Sequence, residues 1–425
     1  MRAIGSSVSV APLGQVDLGS SNAKTQQWAG VLDDIEINVL ALWDELGAEP
    51  MLIVSVDALY VGAELRDAIA DAAGLPPGRV LTFASHTHRA PMLDASKPAL
   101  GTPDPQHMER VLALATKTIR ETLATSAPDV ELWSASGFAD HSINRRRWKL
   151  LTLSRKPTVA KYVNAPNKDG VRDETVVTAT IRDHAGEPIA VLWNYACHPV
   201  AGPHGNEVSA HFPGFVRDEI RRREGKEDLP VIFLQGFSGN TRPRASVRAR
   251  SAVRRVQQAL TGPVFETMAA RDYERWAASL GQTVEEVRDG ETRLPVDTLT
   301  VARVDVDSSE FFAPAAEPVR FARLDIGSEF TIVAVSAEVV AEYAQPVRQM
   351  ASSRIVCLAG CFDDAFGYLP TAAILREGGY EGGEFAPEFG IESLESGIES
   401  ATMRAFDELL SALPVNGDEG HGADG

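Results

Sequence analysis

Apolar and polar positions along this chain alternate between two periodicities. Short, nearly continuous apolar runs predict buried strands at Met51–Val56, Arg79–Ala84, Val130–Ser134, Thr175–Ile181, Ala190–Tyr195, Val231–Leu234 and Phe330–Ser336. Helical spacing predicts helices at Ala63–Ala73, Asp104–Ala124, Phe215–Arg223, Val247–Leu260, Tyr273–Leu280 and Glu395–Leu410. Strands that alternate with helices in this way belong to the α/β class.

Composition narrows this picture. A chain of 425 residues, 44% of them hydrophobic, can bury a sizeable core, and residues 1–413 are expected to form one large domain or two tightly joined ones. Charged residues and a Trp-containing helix between about Arg271 and Val304 suit an insertion or a subdomain at 271–304. Residues 414–425 are Gly-, Asp- and Glu-rich without apolar period, which predicts a disordered tail. No internal sequence repeat is evident. The formal net charge of -18 argues against nucleic acid as a partner, because that affinity rests on neutralising phosphates with Lys and Arg. Met1 to Ser20 lacks a basic stretch followed by an apolar one, and no uncharged apolar stretch is long enough to span a bilayer, so a cytoplasmic location is expected. The three cysteines, Cys197, Cys357 and Cys361, have no zinc-finger spacing and read as buried free thiols.

The placement of a few polar residues carries more information. His86 and His88 follow Val80–Ala84, His198 follows Ala190–Tyr195, and Glu338 follows Thr331–Ser336. Ligands of open α/β sheets collect beyond the carboxyl ends of strands. An i,i+2 pair in extended chain projects to one side, so His86 and His88 reach one site together, one as a metal ligand and the other to handle protons. The same alternation sends Cys197 away from His198 and into the core. Taken singly, each element has a plainer reading: a hydrogen-bonded turn for the histidine pair, a strand end for His198-Pro199, an exposed helical turn for Glu338 with Glu342, and a surface loop with a packed tyrosine for Gly378–Gly383.

The order and local wording of the motifs change that balance. Val54-Ser55-Val56-Asp57, Ser85-His86-Thr87-His88 with Pro91, Ser142-Ile143-Asn144-Arg145, Asn194–Pro199, Phe212-Pro213-Gly214, Phe233–Asn240, Ala337-Glu338, Gly367-Tyr368-Leu369-Pro370 and Gly379-Tyr380-Glu381 occur in one sequence. Over nearly its whole length the chain resembles the neutral/alkaline ceramidase family, zinc enzymes that hydrolyse amides. That resemblance implies a layered mixed-sheet sandwich flanked by helices. It also implies one zinc ion per chain held by His86, His198, Glu338 and Tyr380, with His88 and Arg145 facing the reacting group. Zinc brings the pKa of bound water from about 15.7 toward 7. A permanently charged Arg145 suits a developing oxyanion. A histidine such as His88 can take or give a proton near neutrality.

Departures from the family pattern bear on the substrate. Gln235 stands where the family has a serine, and its amide is expected to donate to a substrate carbonyl. His211 replaces an aspartate, and Asn240, Arg242 and His211 are expected beside Gln235 in the substrate pocket, with Arg145 and Arg242 facing an anionic group. The family's secreted members carry an export signal and a C-terminal β-sandwich that this chain ends without, and no lipid-docking face is apparent. The expected substrate is therefore a soluble small molecule and not membrane-borne ceramide. The expected reaction is amide (N-acyl) hydrolysis, with no stable membrane association and homo-oligomerisation left open. Ester or phosphoester hydrolysis in the same pocket, or a non-catalytic ligand-binding relative, are the alternatives.

Overall fold

The sequence Glu36–Trp43 is buried at every position, as a strand covered on both faces must be. A computed structural model describes residues 1–20, 28–44, 49–152, 158–202, 206–244, 251–266 and 268–412, and places this strand inside the first of three larger sheets. That sheet runs in the order Arg2–Ser9, Glu36–Trp43, Met51–Val56, Val80–Ala84. Its first two pairings are antiparallel and the last is parallel. A parallel neighbour needs a crossover, and the helix Ala63–Ala73 supplies it.

The same plan recurs twice. Val130–Phe138, Thr175–Asp183 and Pro188–Tyr195 pair antiparallel, and after the helix Phe212–Glu224 the strand Val231–Gln235 joins parallel to the third. Leu299–Val306, Val319–Ile326 and Phe330–Val335 do likewise, followed by the helix Ala344–Met350 and the parallel strand Ile355–Ala359. The chain thus repeats one topological unit without repeating its sequence. In each unit the third and fourth strands are parallel, so both end on the same edge. His86 follows a fourth strand, and His198 and Glu338 each follow a third.

The inner faces of all three sheets meet in one cluster that includes Leu42, Ile53, Phe83, Leu192, Ile232, Leu324 and Ile332. Burying each such side chain contributes about 1.5–3 kcal/mol. Helices cover the outer faces. Leu65 and Ile69 of one helix, with Val111 and Ile119 of Pro105–Ala124, pack on the first sheet. Val216, Ile220, Ala277 and Leu280 pack on the second, and Ala405, Phe406 and Leu409 of Ile398–Ser411 on the third. This is the expected α/β sandwich of mixed sheets flanked by helices.

Several elements differ in extent from the sequence pattern. The helix at 215–223 starts at Phe212, and that at 273–280 extends over Ala270–Arg288, burying Tyr273, Trp276 and Val284. The 271–304 stretch therefore packs a helix on the second sheet, adds Thr292–Leu294 to that sheet's edge, and opens the third sheet at Leu299. The Arg-rich hairpin Ser142–Thr152 with Thr158–Asn167 has no apolar run to announce it. Ala252–Thr261 is helical, whereas residues 247–250 of the expected helix and the tail at 414–425 lie outside the described residues. This helix exposes Val253, Val256 and Leu260. Among the described residues, no helix is long and apolar enough to cross a membrane.

Candidate metal centre

His86 leaves its strand with φ 64°, a left-handed conformation that an extended pair would not show. The turn, and not strand alternation, brings His86 and His88 together, with ring centroids 4.9 Å apart. His198 enters from the second sheet with its ring 4.8 Å from that of His86. Glu338 enters from the third as part of the short strand Glu338–Val339. His86, His198 and Glu338 are buried, and His88 is half-buried.

Backbone carbonyls fix the tautomers. His86 Nδ1 lies 3.0 Å from the carbonyl of Leu59, and His198 Nδ1 lies 2.8 Å from that of Ser238. A carbonyl only accepts, so both Nδ1 atoms carry hydrogen and, in the neutral rings, both Nε2 atoms present bare lone pairs. Those two Nε2 atoms are 3.3 Å apart. Glu338 Oε2 stands 3.3 Å from the first and 3.0 Å from the second. Between neutral rings three acceptors converge with no donor, a repulsion that a metal cation relieves and that a proton on His86 also relieves: burial lowers the His86 pKa, but Cys361 and Glu338 outweigh it and hold it well above its usual value.

The side chains of His86, His88 and His198 also meet the geometry of a metal-binding triad, with ligand atoms within 4.8 Å of one another. Burial raises the affinity of the Glu338 carboxyl for a proton, but His86 and His198 outweigh it and hold Glu338 well below the usual carboxylate range. Burial and the neighbouring Arg145 charge push His198 down to about 4. His88 is held well below its usual value by burial and then by His86 and His198, so it is neutral, and its Nε2 has no hydrogen-bond partner among the described residues.

Two tyrosines join this group. Glu338–Val339 pairs parallel with Tyr368–Leu369, and Tyr368 is the residue directly opposite Glu338. The Tyr368 hydroxyl lies 3.4 Å from His198 Nε2 and accepts from Arg145 Nη2 at 3.0 Å. Tyr60 donates its hydroxyl to Glu338 Oε1. The hydroxyl of Tyr380, the tyrosine singled out by the sequence, instead donates to Glu388 Oε2 at 2.8 Å, although its ring packs 5.3 Å from that of Tyr368. Tyr60 and Tyr368 had no assigned role in the sequence. The Gly367-Tyr368-Leu369-Pro370 motif was visible there, but not the pairing that seats Tyr368 beside Glu338.

The remaining sequence candidates separate. Arg145 is close to the centre, anchored by Glu381 Oε1 at 2.6 Å and the Gly239 carbonyl at 2.8 Å, while Arg146 takes the other oxygen of Glu381 at 3.0 Å. Gln235 donates its amide to the Cys197 carbonyl at 3.0 Å and to Ser238 Oγ. Its N–H groups therefore brace the loops on either side of His198. Asn240 likewise bridges loops, donating to Glu342 Oε2 at 2.7 Å and accepting from the Ala341 N–H at 3.0 Å. The Arg242 guanidinium lies 4.1 Å from the centre of the Phe265 ring, and its Nε is buried without a hydrogen-bond partner among the described residues. Burial and the charge of Arg145 bring it down to about 10. His211 lines a separate cavity. Cys197 packs in the core with Trp193 and Phe212, as the strand register predicts.

In fold, the chain is similar to the crystal structure of neutral ceramidase from Pseudomonas aeruginosa, with TM-score 0.73 and 13% identity over 96% of this chain and 74% of that one. A structure of a ceramidase complexed with C2 is similar to the same degree, with TM-score 0.74 and 13% identity over 96% of this chain and 74% of that chain. No protein-family model matches the sequence, and no curated protein matches it. At this level of identity the likeness establishes the ceramidase-like fold.

Proposed function

We propose that this chain is a metal-dependent hydrolase that cleaves an amide bond in a small N-acyl substrate. The observation that carries the reading is the convergence of His86 Nε2, His198 Nε2 and Glu338 Oε2, each delivered by a different sheet. Two imidazole nitrogens and a carboxylate oxygen suit zinc, and the Tyr368 hydroxyl offers a further oxygen 3.4 Å from His198 Nε2. The fold shared with neutral ceramidases supports the amide as the bond cleaved. Zinc held there would lower the pKa of a water and polarise a carbonyl.

The rest of the chemistry belongs to the chain. Neutral His88 offers a bare ring nitrogen that accepts a proton as water adds to the carbonyl and returns it to the departing amine. Arg145, fixed by Glu381 and Gly239, keeps a positive charge on the Tyr368 hydroxyl and lowers the cost of negative charge there. Gln235 and Ser238 hold the loop whose carbonyl orients His198, so their contribution is to ligand geometry. The anionic group expected on the substrate is supported by Arg242, which lacks a carboxylate partner among the described residues.

The test is a panel of N-acyl amino acids, N-acyl alkylamines, carboxylic esters and phosphoesters, assayed before and after chelation. Amine release that disappears on chelation and returns with zinc is the expected outcome. Phosphate release without amine release would overturn the amide reading.

A further inference from the structure

Thr87, the residue between His86 and His88, takes its hydroxyl to a different neighbourhood. It donates to the Ser209 carbonyl at 2.7 Å, and therefore accepts from His211 Nδ1 at 2.8 Å. That fixes the His211 tautomer and leaves Nε2 bare. Nε2 is buried and has no hydrogen-bond partner among the described residues. His211 is itself only 3% exposed and lines a cavity of about 170 Å³ with Asp33, Arg89, Phe215, Asp218 and Tyr273. A Cβ on Gly202 would lie 3.0 Å from Nε2, so glycine at that position keeps the edge of the ring open.

The cavity carries charges of both signs. Arg89 is buried, donates to the Gly202 carbonyl at 2.8 Å, and has no carboxylate within ion-pair distance among the described residues. Asp33 is anchored by Ser209 Oγ at 2.5 Å and the Ala210 N–H at 2.7 Å, and Asp218 makes no side-chain hydrogen bond among the described residues. Phe215 and Tyr273 form an aromatic wall, with ring centroids 5.9 Å apart.

A ligand that is only an anion would satisfy Arg89 but leave His211 without a donor and face three carboxylates, Asp33, Asp218 and Glu274. One that is only an amine would leave Arg89 unpaired. A molecule with both groups beside an apolar body answers all three demands, and cavities near this volume hold a body of about benzene size. We propose that the cavity binds a free α-amino acid with an apolar side chain, its ammonium group toward His211 Nε2 and Asp33 and its carboxylate on Arg89. This inference stands on the cavity and does not depend on the hydrolase reading.

The test uses the full chain with ¹⁵N-labelled histidine, titrated with L-leucine, with 4-methylpentanoate (leucine without its amine) and with 3-methylbutylamine (leucine without its carboxylate). Leucine is expected to move the His211 Nε2 resonance saturably, with each half-molecule binding at least about tenfold more weakly. Arg89→Met is expected to weaken leucine by at least about tenfold and to leave the amine unaffected. An unmoved His211 resonance, or half-molecules that bind as well as leucine, would overturn the proposal. The wild-type comparison decides even if Arg89→Met does not fold, and Arg89→Lys then provides the variant arm.

Discussion

The histidines on the two sides of Thr87 use one device to different ends. At His86 and His198, Nδ1 is tied to a backbone carbonyl and Nε2 meets another bare nitrogen and a carboxylate oxygen at 3.0–3.3 Å. At His211, Nδ1 is tied to the Thr87 hydroxyl and Nε2 faces a cavity lined by the buried cation Arg89. Burial, then Arg89, holds His211 well below its usual pKa. A bare buried imidazole nitrogen is thus not a metal ligand by itself. The convergence of further acceptors makes it one, and a cationic neighbour turns the same atom into an acceptor for a ligand's N–H.

Substitutions on the two sides should therefore behave differently. The largest expected effect is at Glu338. Glu338→Gln removes the charge that balances a cation, and amide turnover in the panel assay is expected to fall to background, whereas His211→Asn should leave turnover measurable. Next comes His88, where His88→Ala is expected to lower kcat by about 10²–10⁴-fold while metal content stays at the wild-type level. A smaller contrast separates the two tyrosines. Tyr368→Phe should weaken metal affinity by about 10–100-fold in a competitive chelator titration, and Tyr380→Phe should leave it near wild type.

The smallest expected effect is on the cavity side. Burial pushes Asp33 up to about 6. Between the ordinary value of 3.8 and this one the folded chain binds more protons than the unfolded chain, so stability falls as pH rises through that window. Asp33→Asn is expected to remove a slope of at most about 1.4 kcal/mol per pH unit, read from denaturant melts between pH 4 and 7.

Much of the centre was legible because its converging side chains follow strands whose apolar runs are easy to see. Val80–Ala84, Pro188–Tyr195 and Phe330–Val335 locate His86, His198 and Glu338 without any three-dimensional information. Tyr368 was harder, since its position depends on a two-residue parallel pairing with Glu338–Val339 that leaves no periodic trace. The side-chain amides of Gln235 and Asn240 read as substrate contacts because their hydrogen bonds to Cys197, Ser238, Ala341 and Glu342 cross between distant segments. The threefold recurrence of the sheet unit was invisible for a related reason. Each copy builds its strands from different residues, the second strand being Glu36–Trp43, buried throughout, in the first unit and Val319–Ile326, which carries Arg320, Arg323 and Asp325, in the third, and topology constrains order and direction but not side-chain identity.

The central claim is that three sheets deliver one cation site. It is tested most directly by the metal content, by mass spectrometry, of purified wild type beside His86→Ala, His198→Ala, Glu338→Ala and His211→Ala. About one metal per chain in wild type and His211→Ala, with loss in the other three, is the predicted result. Unchanged metal in His86→Ala, His198→Ala and Glu338→Ala, or loss confined to His211→Ala, would contradict the account.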